Sequence, residues 1–197
     1  MELLDQGLKN YLYTMIKEEF DKRGYRFFTE PYSMNIYAIR NKTQAPNQFN
    51  DILGVAYSNG LTTVQCEFPA TVDPGTNWLV NPMDRGGAAA IVPGQYLALW
   101  KLGTFKGTRA LIQIRPIKVY RDNNRNEVFD YNPRDITEGM YGIFLHQHFQ
   151  GIDIASIVGT SSAGCVVPQT LTDWKYFFDI ISLQGKLGHV YSFTLFE

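Results

Sequence analysis

The spacing of apolar residues differs between the start of the chain and the rest of it. Between residues 2 and 23, apolar side chains recur every three to four positions with charges on the other face, which predicts an amphipathic helix. Gly24 is well placed to end it. Beyond it the pattern changes to short alternating runs separated by Gly, Pro and Asn, which is typical of β-rich domains. We therefore expect an N-terminal helix over 1–25 and a β-rich domain over 26–197.

The alternating runs predict a mainly β fold, of the β-rich α+β class. Strands are predicted at 34–40, 51–58, 62–68, 94–103, 110–121, 139–148 and 190–197. A turn at Asp122-Asn123-Asn124 follows one of them. Residues 170–182 predict a short helix with Thr172 or Asp173 near its start and its aromatic residues facing the sheet.

Charge and hydropathy exclude some classes of partner. The net charge is −1 and lysines and arginines form no run, so we expect no nucleic-acid partner. No apolar stretch approaches the roughly 20 residues that span a bilayer, so we expect no membrane insertion. The N-terminus lacks the basic start and apolar core of a signal peptide, which predicts a chain that is cytoplasmic as synthesised. The oligomeric state is left open.

The candidate chemistry lies between residues 142 and 167. The chain has three histidines and two cysteines, and two of those histidines, His146 and His148, precede Cys165 in a Ser-Ala-Gly-Cys sequence. Alternation along a strand puts both imidazoles on one side, from which either one reaches Cys165 if the loop folds back. A neighbouring imidazole is the commonest means of generating a thiolate near neutral pH. Gly164 tolerates strained dihedrals, and amides at such a turn can stabilise an oxyanion.

Less specific interpretations of the same residues remain open. A free cysteine is often simply buried, and Cys165 beside strand histidines could be structural. Two histidines and one cysteine could also bind zinc, but Cys165 lacks a second cysteine at the short spacing usual in zinc sites, so we expect neither a metal nor a cofactor. We expect Cys66 to be structural and both thiols to be free, because a disulfide would bury the proposed nucleophile. His189 has no assigned role.

Three further residues precede the histidines. Arg115 and Arg121 lie on the strand that approaches the site, and we favour solvated or turn-stabilising roles for them. Tyr96 alternates with Trp100 in an earlier strand, where core packing is the better explanation. All three remain weaker candidates for substrate binding.

The histidine and cysteine pattern resembles the catalytic domain of the L,D-transpeptidases. The resemblance consists of a strand ending in His, a gap of fifteen to twenty residues, and then Ser or Thr, any residue, Gly and Cys before an aliphatic residue. The segments IVPGQY (91–96) and VYRDNNRNEVFD (119–130) are similar to upstream parts of a divergent, phage- or Bacteroidetes-like branch. The resemblance covers about residues 34–197.

The resemblance implies a β-sandwich with a cysteine nucleophile that attacks peptidoglycan stem peptides at a bond between an L-centre and a D-residue. By that resemblance Cys165 is the nucleophile and His146 the base and then the acid, with His148 as the alternative base. Ser162 matches the Ser or Thr of the motif, and Gly164 and Cys165 would supply the oxyanion amides. The chain departs from the family at Gln147, Ala163 and Val167, where members usually have Gly, His and Arg.

The loss of that Arg puts the contact with the substrate carboxylate in question, and Arg115 or Arg121 could replace it. We expect an enzyme of the L,D-transpeptidase or L,D-carboxypeptidase type, with cross-linking and hydrolysis both open. It would act at the cell wall after release or export, as a phage-encoded lysis protein would. A catalytically inactive wall-binding or phage structural module of the same fold is the alternative. A cysteine peptidase or amidase with another substrate is the third.

Overall fold

The computed structural model describes residues 6–41 and 46–197. Within these residues the helices are α1 (Gln6–Lys22), α2 (Thr76–Val80) and α3 (Leu171–Ser182), with short 3-10 turns at Pro133–Asp135 and Leu183–Leu187. The strands are β1 (Asn35–Ile39), β2 (Asp51–Ser58), β3 (Thr63–Thr71), β4 (Ala88–Ile91), β5 (Gly94–Phe105), β6 (Thr108–Gln113), β7 (Ile117–Asp122), β8 (Ile136–Gly139), β9 (Val167–Pro168) and β10 (Val190–Phe196). The chain is β-rich, as the sequence predicts.

The strands form two sheets that share a core. One sheet has seven strands in the order β6-β5-β10-β1-β2-β3-β9, and the other has three in the order β4-β7-β8. Along β1, Ile36 and Ala38 belong to the principal core, whereas Tyr37 and Ile39 face the opposite side. The principal core also takes apolar residues from α3 and from the three-stranded sheet, so both pack on the same face of the larger sheet.

Helix α1 covers the other face of the seven-stranded sheet. Its buried residues Tyr13, Ile16 and Phe20 pack against Tyr37 and Phe196. The helix ends as predicted, with a left-handed glycine (φ 67°) two residues after Lys22. Residues 2–5 of the predicted helix lie outside the described residues. Within the described ranges, no helix is long and apolar enough to span a bilayer.

Two predicted strands are not continuous. The predicted strand 110–121 divides into β6 and β7 because Pro116 has no N–H to donate to a strand partner, and the two halves enter different sheets. Of the predicted strand 139–148, only Gly139 lies in a regular strand, as the last residue of β8. Beyond it, Gly142 adopts a left-handed conformation (φ 71°), and only Leu145 keeps β-type pairing. The histidines therefore lie on an irregular segment rather than on a regular strand.

The predicted helix after the cysteine is present as α3. Its N-cap is Thr170, whose hydroxyl accepts a hydrogen bond of 2.8 Å from the amide of Asp173, so the helix starts slightly before the expected Thr172 or Asp173. Trp174, Phe177 and Phe178 are buried in the principal core, as predicted, whereas the fourth aromatic residue, Tyr176, is exposed.

Candidate active site

A single parallel pairing brings the predicted histidine and cysteine segments together. Leu145 pairs with Val166, supported by hydrogen bonds from the His146 amide to the Val166 carbonyl (3.1 Å) and from the Val166 amide to the Phe144 carbonyl (2.9 Å). Leu145 and Val166 are both fully buried in the principal core. Because neighbouring side chains alternate, His146 and Cys165 project from the opposite face of this pair.

The turn before Cys165 is held by its own serine and requires its glycine. Gly164 has φ 118°, and a Cβ there would lie 2.4 Å from the Ala89 carbonyl oxygen. The buried Ser162 hydroxyl donates to the Cys165 carbonyl (2.8 Å) and accepts from the Gly164 amide (3.1 Å). The Gly164 amide is therefore already engaged, and of the two expected oxyanion donors the Cys165 amide is the one without a hydrogen bond to the described residues.

The Cys165 thiol is hydrogen-bonded to the main chain. Its Sγ donates to the Gly142 carbonyl oxygen (3.5 Å) and accepts from the Phe144 amide (3.4 Å). Burial raises the pKa of the thiol to about 11, outweighing the Phe144 amide and the Lys106 ammonium, which lower it. In the described residues no hydrogen bond joins Sγ to an imidazole. These contacts and the raised pKa favour the thiol form of Cys165 over a thiolate–imidazolium pair.

The His146 imidazole is oriented as a neutral base. Its Nδ1 lies 2.7 Å from the Gln147 carbonyl oxygen, which can only accept, so Nδ1 carries the hydrogen and Nε2 has the free lone pair. Burial lowers the pKa of His146 to about 4, with the Lys106 ammonium adding to that effect. The ring is 2% exposed and packs against Phe105 and Phe149, with centroid distances of 4.7 and 5.7 Å.

The His148 imidazole uses both ring nitrogens to hold a loop. Its Nε2–H donates to the Asp153 carbonyl oxygen (3.1 Å), and its Nδ1 accepts from the Gln150 amide (3.4 Å). The residue is also almost fully buried. No lone pair is left for a reacting thiol, so the geometry favours His146 over His148 as the base.

A hairpin tip that the sequence analysis did not select packs on His146. Lys106 (φ 48°) and Gly107 (φ 78°) are both left-handed between the paired residues Phe105 and Thr108, which is the geometry of a type I′ turn. The Lys106 ammonium lies 5.4 Å from the centroid of the Phe105 ring and 5.0 Å from that of Phe149, the two rings that pack on His146. Its charge lowers the pKa of both His146 and Cys165. A Lys-Gly dipeptide between two alternating runs was the available signal for this turn.

Arg121 lines a cavity beside the cysteine turn. Its guanidinium donates from Nη1 to the Gly87 carbonyl oxygen (3.1 Å) and from Nε to the Thr137 hydroxyl (3.3 Å), and it lies 4.3 Å from the centroid of the Tyr141 ring. The cavity has a volume of about 270 Å³. Its lining comprises Trp78, Met83, Asp84, Gly87, Ala88, Ala89, Arg121, Met140, Tyr141, Ile143 and Ala163.

The other two weak candidates lie apart from this site. Arg115 is exposed in the break between β6 and β7. The Tyr96 hydroxyl donates to the Val92 carbonyl oxygen (2.6 Å), and its ring packs on the principal core, as expected. In the described residues no hydrogen bond or ring contact joins either one to Cys165 or His146.

The second cysteine has different surroundings. Cys66 is a half-buried free thiol in β3, opposite Val55 of β2, and Cys165 is also free. Burial raises the pKa of Cys66, while a hydrogen bond with Tyr176 lowers it. Over residues 6–41 and 46–197, no group of three or more His, Cys, Asp or Glu side chains is arranged to hold a metal ion.

No protein-family model, curated protein or solved structure matches the chain. The resemblance to the L,D-transpeptidases therefore stays a prediction, and the function must be argued from the site.

Proposed function

We propose that the protein is a cysteine acyl transferase or hydrolase of the L,D-transpeptidase type, acting on peptidoglycan stem peptides. The observation that carries the proposal is the pairing of Leu145 with Val166. By strand alternation, this pairing puts the His146 imidazole and the Cys165 thiol on the same face. The hydrogen bond from Nδ1 of His146 to the Gln147 carbonyl supports it, because it leaves Nε2 as a base. The proposal includes a β-sandwich fold and action at the cell wall after release or export.

The first half of the reaction forms a thioester. Substrate binding turns the Cys165 thiol hydrogen from the Gly142 carbonyl towards Nε2 of His146. As Nε2 takes that proton, Sγ forms a bond to the carbonyl carbon of the L-centre, and the carbonyl electron pair moves to oxygen. The Cys165 amide donates to that oxyanion, while Ser162 keeps the turn in shape. When the tetrahedral intermediate collapses, the C–N bond breaks and Nε2–H protonates the leaving amine.

The second half of the reaction releases the acyl group. Water or an amine attacks the thioester carbonyl and gives its proton to Nε2 of His146. The C–S bond then breaks, and Nε2–H of His146 returns its proton to Sγ, which restores the thiol and the neutral imidazole. Water gives a shortened peptide and an amine gives a cross-link, and both outcomes need the same two side chains.

Turnover of a disaccharide-tetrapeptide tests the proposal. We expect the purified protein to release the terminal D-residue or to form a dimer, detected by mass spectrometry. Cys165→Ala should abolish either product. Cys66→Ala is the matched control, because it removes the other half-buried free thiol and should leave turnover unchanged. Product formation that survives in Cys165→Ala would overturn the nucleophile assignment.

A second candidate function is a non-catalytic wall-binding or phage structural module. The observation in its favour is the state of the two side chains without substrate. Burial raises the pKa of Cys165 to about 11 and lowers that of His146 to about 4, and no hydrogen bond joins the two. This candidate predicts that the wild-type protein binds the muropeptide without turnover, with equal affinity in Cys165→Ala.

A further inference from the structure

We infer that Arg121 binds the terminal carboxylate of the peptide whose carbonyl Cys165 attacks. The inference deepens the proposed function and rests on it for the identity of the peptide.

The Arg121 cavity and the thiol share two stretches of chain. Tyr141 and Ile143 line the cavity, and the carbonyl of Gly142 between them accepts the thiol hydrogen of Cys165 at 3.5 Å. On the other side, Ala163 lines the cavity two residues before Cys165. The short segments 141–143 and 163–165 therefore border both the cavity and the thiol.

The Arg121 guanidinium is fixed in place and still has donors to offer. Its side chain is 11% exposed and is held by the Gly87 carbonyl, the Thr137 hydroxyl and the face of Tyr141. These contacts use Nε and Nη1, whereas Nη2 makes no hydrogen bond among the described residues. A pre-oriented guanidinium with free N–H groups is suited to a carboxylate, which can accept two parallel hydrogen bonds.

The surroundings of Arg121 favour a small, singly charged anion. The cavity of about 270 Å³ lies at the lower limit of ligand sites, which usually run from about 300 to 1,000 Å³, so it suits one end residue and not a long chain. Asp84 lies on the cavity wall with Oδ1 3.9 Å from Nη1 of Arg121. Its negative charge would oppose a dianion such as a phosphate more strongly than a carboxylate. The apolar walls, including Trp78 and Met140, suit the side chain of that end residue.

Two peptides that differ only at the C-terminus test the inference. One stem tetrapeptide carries a free terminal carboxylate and the other a terminal amide. We expect the wild-type protein to bind and turn over the carboxylate form about 10- to 100-fold better, as a charge-assisted hydrogen bond implies. Arg121→Gln should remove that preference by weakening the carboxylate form alone, with the effect in KM and not in kcat. Arg115→Gln, which removes an exposed arginine six residues earlier, should keep the preference.

Binding to catalytically dead protein separates this inference from the proposed reaction. Calorimetry with Cys165→Ala measures peptide affinity without turnover, and the carboxylate preference should persist there and vanish in Cys165→Ala/Arg121→Gln. A wild-type protein that shows the Arg121-dependent preference but no turnover would retain the inference and overturn the proposed chemistry. Equal affinity for the two peptides, or a preference that survives Arg121→Gln, would overturn the inference.

Asp84→Asn gives a test that does not depend on the folding of an Arg121 variant. The asparagine keeps an Oδ1 atom for the hydrogen bond from the Gly86 amide and removes the charge that competes for Arg121. We expect the carboxylate peptide to bind a few-fold more tightly, because removing a partly exposed ion pair changes the energy only slightly. The affinity for the amide form should stay unchanged. Equal changes for both peptides would contradict a direct contact between Arg121 and the carboxylate.

Discussion

His146 and His148 are two residues apart, both nearly fully buried and both bonded to main-chain groups, yet only one of them can act as a base. His148 donates to the Asp153 carbonyl and accepts from the Gln150 amide, so its ring serves as a brace between two parts of a loop. His146 donates to the Gln147 carbonyl through Nδ1 and keeps Nε2 without a partner among the described residues. A spare lone pair distinguishes the proposed base, His146, from the histidine that holds the loop, His148.

The difference shows what the main chain contributes to acid–base chemistry. A carbonyl at hydrogen-bond distance from one ring nitrogen fixes the tautomer and presents the other nitrogen to the site. A second main-chain group on that other nitrogen removes the function. Composition and spacing treat the two histidines alike, and the loop conformation after residue 148 decides between them.

The largest expected effect is on activity. His146→Gln should lower kcat/KM for the muropeptide by about 10²- to 10⁴-fold, because it removes the group that takes the thiol proton. His148→Gln should stay within a few-fold of wild type, since its ring serves the loop and not the thiol. Both rates are measured by mass spectrometry of the released D-residue under identical conditions. A larger loss in His148→Gln than in His146→Gln, in protein that remains folded, would reverse the assignment of the two histidines.

The next effect is on stability in acid. Burial holds the pKa of folded His146 near 4, below its ordinary value of 6.5, so the unfolded chain binds the proton more readily. The resulting stability is fully present above pH 6.5 and is lost as the pH falls towards 4. The loss is about 3 kcal/mol, taking 1.36 kcal/mol per pKa unit. It is measured by urea unfolding between pH 4 and 7.

His146→Gln should lack this acid loss, and His148→Gln should retain it. The comparison must be made between variants because Asp51 acts in the opposite direction. Burial, followed by the neighbouring Asp73 carboxylate, raises the pKa of Asp51, so its protonation stabilises the fold as the pH falls. Identical pH profiles for wild type and His146→Gln would contradict a buried neutral imidazole at position 146.

The sequence predicted much of the β fold because regular strands carry their own pattern. Residues 51–58 form β2 as predicted, and α3 buries three of its four aromatic residues. The short strand β4 escaped detection because its sequence, Ala-Ala-Ala-Ile, is buried on both faces and does not alternate. The predicted strand 139–148 was wrong in its regularity, since Gly142 takes a left-handed φ that the apolar pattern does not report.

The site was predictable only in part, because a local sequence pattern does not report contacts between distant segments. Local spacing singled out His146 and Cys165, and the structure pairs their neighbours Leu145 and Val166 in an isolated bridge. Contacts between distant segments left no local signal. The Lys106 turn lies 40 residues before His146, and the engagement of the Gly164 amide by Ser162 depends on how the turn closes.

A smaller effect is expected on the stability of the loop that His148 holds. His148→Gln should lower the free energy of unfolding by about 1–3 kcal/mol, because it leaves the Asp153 carbonyl and the Gln150 amide without the imidazole as a hydrogen-bond partner. The measurement is urea unfolding at pH 7, followed by tryptophan fluorescence. Ser162→Ala is a comparison of similar size, since it removes two hydrogen bonds from the cysteine turn. A His148→Gln variant as stable as wild type would show that the loop does not need the imidazole.

The smallest expected effect is on the resting thiol. Alkylation of Cys165 by iodoacetamide should be slow at neutral pH and should rise until about pH 11, because burial raises the thiol pKa and no imidazole is bonded to it. His146→Gln and His148→Gln should follow the same curve as wild type within about twofold, since neither ring bonds the thiol before substrate binds. Each rate is read by mass spectrometry of the peptide that contains Cys165, with the Cys66 peptide as internal reference. A plateau of fast labelling near pH 6 that disappears in His146→Gln would reveal a thiolate–imidazolium pair, and the distinction between the two histidines would then exist before any substrate arrives.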